Sequence, residues 1–68
     1  MKTQKFQKAT VHWYDDQSAE GLIKLSNGDL VYIHGSAIVD KKPIVDGQAV
    51  EVVLFEDINW RQVSKLRS

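Results

Sequence analysis

Residues 31–38 read Val31-Tyr32-Ile33-His34-Gly35-Ser36-Ala37-Ile38. Side chains of an extended strand alternate between its two faces, so Val31 and Ile33 share one face and Tyr32 and His34 the other. The first pair suits a core. The second pair offers two planar rings, side by side, to solvent. Exposed rings on a small β protein are what an unpaired nucleic-acid base needs to stack on.

Working upstream, Gly21–Leu25 reads as the partner strand, ended by the turn signal Asn27-Gly28, which predicts a two-residue hairpin loop. With Ile23, Leu25, Val31 and Ile33 inward, the outer face of this hairpin holds Leu22, Lys24, Tyr32 and His34. That face carries one cation, two rings and one aliphatic group.

Further strands are predicted over residues 6–14, 49–55 and 60–66. A longer link runs from Gly35 to Asp46 with Pro43 inside it, Asp46-Gly47 makes a turn, and Glu56-Asp57-Ile58-Asn59 turns the chain once more. No window carries the spacing of apolar residues that marks a helix. Five short strands in 68 residues imply an all-β fold, a small closed barrel whose closure removes exposed sheet edges. Residues 1–5 are expected to fray and residues 6–68 to form one domain.

A chain this short buries only about 60% of its unfolded surface. It has no cysteine, which excludes a disulfide, and its two histidines are far apart in sequence, which argues against structural zinc. No cofactor is expected. No apolar run approaches the ~20 residues that cross a bilayer, so the expectation is a cytoplasmic protein without membrane contact. Net charge is zero but unevenly placed: Lys2, Lys5 and Lys8 at one end and Arg61, Lys65 and Arg67 at the other flank a body holding all nine acids. Either these ends are merely solvated, or they converge beside a groove and meet phosphates.

The sequence resembles the cold-shock domain family of single-strand nucleic-acid binders. Ala9-Thr10-Val11-His12-Trp13-Tyr14-Asp15 is similar to that family's Gly-x-Val-Lys-Trp-Phe-Asn, and Val31–Ile38 to its Val-Phe-Val-His-Phe-Ser-Ala-Ile. Ser18-Ala19-Glu20-Gly21-Leu22-Ile23 stands where the family has Lys-Gly-Phe/Tyr-Gly-Phe-Ile. Asp46-Gly47-Gln48-Ala49-Val50-Glu51-Val52 follows its Glu-Gly-Gln-x-Val-x-Phe, and Gln62-Val63 lies near its closing Asn-Val. The resemblance spans about residues 9–66. It implies a five-stranded antiparallel barrel of the oligonucleotide/oligosaccharide-binding (OB) fold and noncatalytic binding of single-stranded RNA or DNA.

The departures fall on the binding face. Glu20, Leu22 and Gly35 replace aromatics of the family, residues 39–46 lack a ring, and His12 and Ser18 replace lysines. The resemblance therefore implies weak, sequence-tolerant binding, with Trp13, Tyr32 and His34 stacking bases and Lys8, His12 and Lys24 near phosphates. Arg61 and Lys65 are outer candidates, and Tyr14 and Trp60 complete the candidate set. Strict alternation from Val11 would bury Trp13, whereas the family's bent strand exposes its tryptophan. Tyr14 is read either as a contact or as strand-end packing. Trp60, where the family has a small residue, either caps an end of the barrel or replaces a lost ring beside Trp13. The alternative function is a protein-interaction module whose partner meets the Leu22/Gly35 region. An enzyme is not expected, since no nucleophile–base pair or metal constellation is present: Asp15-Asp16 diverge and read as a turn into Gln17-Ser18.

Overall fold

The computed structural model describes residues 5–68, without the side chain of Asp57. The expected fraying of residues 1–5 lies, apart from Lys5, outside the described residues. Five strands form in chain order: β1 (Gln7–Asp15), β2 (Glu20–Leu25), β3 (Leu30–His34), β4 (Ala49–Asp57) and β5 (Trp60–Arg67), with one 3-10 turn at Gly35–Ala37. They close into a barrel in the order β1-β2-β3-β5-β4. Neighbours run antiparallel except at the closing seam, where β3 and β5 are parallel and Tyr32 is the partner of Gln62. This is the five-stranded OB barrel expected from the sequence, with one parallel seam. Among the described residues no helix is long and apolar enough to cross a membrane.

Alternation fills the interior as the sequence pattern requires. Ile23, Ile33, Leu66, Val11 and Val52 are fully buried, with Leu25, Val31, Val50 and Val63 around them. Each such side chain contributes about 1.5–3 kcal/mol on leaving water. No polar side chain among the described residues is buried, so the barrel rests on apolar packing and its ladder.

Two local irregularities decide which way the outer residues point. In β1, Val11 pairs with Ile23 while Trp13 pairs with Leu22, so His12 is an extra residue. A bulge of this kind breaks the two-residue period, letting Val11 point inward and Trp13 outward. The second lies in β5, where Val53 pairs with Lys65 and Leu54 with Val63, leaving Ser64 as the extra residue. Its hydroxyl donates to the Val53 carbonyl at 3.1 Å.

The turns differ from expectation in one case. Leu25 N–H donates to the Asp29 carbonyl at 2.8 Å and Gly28 N–H to that of Leu25 at 2.9 Å. Residues 26–28 therefore form a three-residue loop, not the two-residue loop that Asn27-Gly28 predicts. Gly28, at φ 94°, supplies the left-handed residue that such a loop needs. The β4–β5 hairpin is the tighter one: Asp57 pairs with Trp60, leaving only Ile58-Asn59 between the strands. Asp15 does form the expected turn, its carboxylate accepting from Gln17 N–H at 2.9 Å.

Candidate nucleic-acid interface

The strand registers align one row of residues across the outer face. Trp13 pairs with Leu22, Leu22 with Tyr32, Tyr32 with Gln62 and Gln62 with Phe55. Directly paired residues point to the same side of a sheet. The row thus runs round all five strands of the closed barrel, about 19 Å long when followed along the sheet at ~4.8 Å per strand. Trp13 is 39% exposed and Phe55 48%, while Tyr32 and Leu22 are half-buried between their neighbours.

Flanking rows give the face its polarity. On one side, Thr10 pairs with Lys24 and Lys24 with Leu30. On the other, Asp15 pairs with Glu20 and Glu20 with His34. The first flank carries the positive charge of Lys24 and the second the negative charges of Asp15 and Glu20. Lys8, Thr10 and Lys24 line a shared cavity of about 520 Å³, so the two lysines flank the ring row from the same direction.

The candidate rings separate into two groups. Trp13, Tyr32 and His34 share the outer face, His34 being exposed two residues along β3 from Tyr32. Ser36 N–H donates to His34 Nδ1 at 3.1 Å, with the Ser36 hydroxyl 3.0 Å from the same atom. A backbone N–H only donates, so Nδ1 accepts and the neutral ring carries its proton on Nε2. Tyr14 stands elsewhere. It pairs with the buried Gly21, packs against the core, and lines a cavity of about 600 Å³ with Asp16, Gly35, Lys41 and Lys42. Partial burial, then the negative charges of Asp16 and Asp15, raise its phenol above the ordinary tyrosine value.

Trp60 is 54% exposed and stands on the outer face, with its ring centroid 6.4 Å from that of Tyr32 at a tilt of 53°. Its place is therefore beside Tyr32, with β3 and β2 between it and Trp13, and not over an end of the barrel. Trp60 Nε1 donates to Gln62 Oε1 at 2.9 Å, which holds both side chains on the face.

The terminal cations divide as well. Arg61 is held by Asp29 at 3.1 Å and by Glu56 at 3.4 Å. Arg67 is held by Glu51 at 2.9 Å, with its guanidinium 3.8 Å from the Phe6 ring centroid. These arginines hold the fold's own acids, which ties them to the barrel surface. Among the described residues, Lys8, Lys24 and Lys65 form no ion pair.

Phe55 and Gln62 are residues of this face that sequence reasoning missed. The signal was present: Val50, Val52 and Leu54 alternate inward, which turns Phe55 outward.

A closed five-stranded barrel of this topology, carrying a tryptophan, a tyrosine and a histidine on one outer face, defines an OB-fold protein with a ring-bearing face. No family model matches the chain. It is similar to Cold shock-like protein CspLB of Listeria monocytogenes, with 34% identity over 62 residues that cover 88% of this chain and 94% of the relative. The chain belongs to the cold-shock protein family.

Proposed function

We propose that this protein binds unpaired nucleic acid, RNA or DNA, noncatalytically. Two or three bases stack on Trp13, Tyr32 and His34, with Trp60 steadying Tyr32. Lys24 and Lys8 meet the phosphates from one side, and His12, exposed at the bulge, adds a donor there. The observation that carries this reading is the register row joining Trp13 to Tyr32 on one outer face. Base–aromatic stacking contributes about 1–3 kcal/mol per base and tolerates any sequence. Leu22 in the middle of the row and Glu20 beside it weaken the platform, which favours modest affinity. Absence of cysteine fits a reducing compartment, and a cytoplasmic site of action goes with this reading.

The test is an amide-shift titration with a short pyrimidine-rich oligonucleotide. Shifts at Trp13, Tyr32 and His34 are expected, together with loss of about one decade or more of affinity in Tyr32→Ala. Unmoved signals at millimolar ligand would end this reading. A second reading, a face for a protein partner, is favoured by Leu22 and by exposed Leu30 beside the rings. Added salt separates the two, since phosphate contacts weaken steeply with salt and apolar contacts do not.

A further inference from the structure

Beyond the rings of β1 and β3, the outer face holds a cavity of about 290 Å³ lined by His34, Ser36, Phe55, Gln62 and Ser64, among others. We propose that it is an additional base subsite, taking one unpaired nucleobase that offers acceptor atoms, with Phe55 as its stacking wall. The proposal rests on the nucleic-acid reading above and deepens it.

Three observations converge. The cavity falls just below the ~300–1,000 Å³ of sites for drug-sized molecules, a size suited to a single ring system. Phe55 contributes a ring that is 48% exposed and lies in register with Gln62, hence the next ring of the row beyond Tyr32. The polar groups are also fixed in role. Trp60 Nε1–H can only donate, so the atom it meets on Gln62 is the amide oxygen, and the Gln62 NH₂ is left to donate. His34 Nδ1 is likewise taken by Ser36 N–H, leaving Nε2–H to donate.

A wall and two donors select a base edge made of acceptors. Uracil, thymine and guanine present carbonyl oxygens, whereas adenine presents its own NH₂ donor beside ring nitrogens. No carboxylate is among these lining groups. Lys65, paired with Val53 just past the Ser64 bulge, is the next outward residue of β5 and stands ready for the phosphate of that nucleotide. The strand would thus continue from Tyr32 across the β3–β5 seam onto β4.

The experiment titrates the intact chain with hexauridylate and with hexaadenylate, in the wild type and in Phe55→Leu and Gln62→Leu. Phe55→Leu keeps an apolar side chain at a half-exposed position and removes only the π-face. Expected are ligand-induced shifts at Phe55, Gln62 and Ser64, affinity for hexauridylate about tenfold lower in Phe55→Leu, and a preference for uridylate over adenylate that shrinks in Gln62→Leu. If hexauridylate moves Trp13 and Tyr32 but leaves Phe55, Gln62 and Ser64 unmoved, and both variants bind as the wild type does, the subsite is refuted and the ring platform stands. If neither oligonucleotide moves any residue of the face, the nucleic-acid reading and this subsite fall together.

Discussion

The Tyr14 hydroxyl fills the space that a side chain on Gly35 would need. A Cβ at Gly35 would lie 2.5 Å from Tyr14 Oη and 3.2 Å from the Cβ of Ala19. The cold-shock pattern has phenylalanines at both positions, and here the extra oxygen on one ring goes with the loss of the other. Tyr14 and Gly35 therefore form a complementary pair: the half-buried phenol occupies space at the 3-10 turn that only a residue without a side chain leaves open.

This pairing predicts non-additivity. Gly35→Ala should destabilise by about 1–3 kcal/mol through overpacking. In a Tyr14→Phe background the same substitution should cost less, with a coupling of at least ~0.5 kcal/mol. Urea unfolding of the four proteins measures it, and equal costs in both backgrounds would show that the hydroxyl is not what excludes the side chain.

Ala19 holds a left-handed conformation at φ 57°, while its carbonyl accepts from Gly35 N–H at 2.8 Å. A Cβ in that region costs roughly 1–2 kcal/mol, part of which a glycine returns as unfolded-chain entropy. Ala19→Gly should therefore stabilise the barrel by up to about 1 kcal/mol. A fall in the thermal midpoint would contradict this account of the turn.

Tyr14 also sets a pH dependence. Its folded-state pKa is raised, first by burial and then by Asp16 and Asp15, so folding favours the neutral phenol. The stability gained is fully present below the unfolded value of about 10 and is lost as pH rises through the raised folded value. Alkaline unfolding should therefore begin above about pH 10 and shift in Tyr14→Phe. Denaturant midpoints measured across that range test it, and identical alkaline limbs would remove Tyr14 as the cause.

For nucleic-acid binding, the logarithm of affinity should fall with the logarithm of salt by about 0.7 per phosphate neutralised on a single strand. Lys24→Ala should lower that slope by about 0.7 and weaken every sequence alike. Arg61→Ala should leave the slope unchanged, since Asp29 and Glu56 already hold the guanidinium. The effect expected there is on stability, within about 1 kcal/mol for an exposed pair. A slope that responds to Arg61 rather than Lys24 would place the phosphate track on the wrong side of the face.

Much of this molecule was legible in the residues. Alternation in Ile23–Leu25 and Val31–Ile33 located the core, because one buried face needs a two-residue period and tolerates no slip. The outward pair Tyr32 and His34 followed from the same rule, as did the strand bounds to within a residue or two. The limits of that reasoning show at Asn27-Gly28, where pairing of Leu25 with Asp29 added one residue to the loop. They show again at Val11 and Trp13, whose opposite orientations depend on the His12 bulge.

What the sequence determined by itself is local: which residues are apolar, at what period they recur, and where the chain must turn. Those features are written in neighbouring side chains and in glycine's access to positive φ. Only the closed barrel decided that Trp60 leans on Tyr32, that Gln62 carries the row to Phe55, and that Arg61 is held by Asp29. Each of these joins residues distant in the chain across a seam or a turn, and their meeting depends on register and closure rather than on any one strand's pattern.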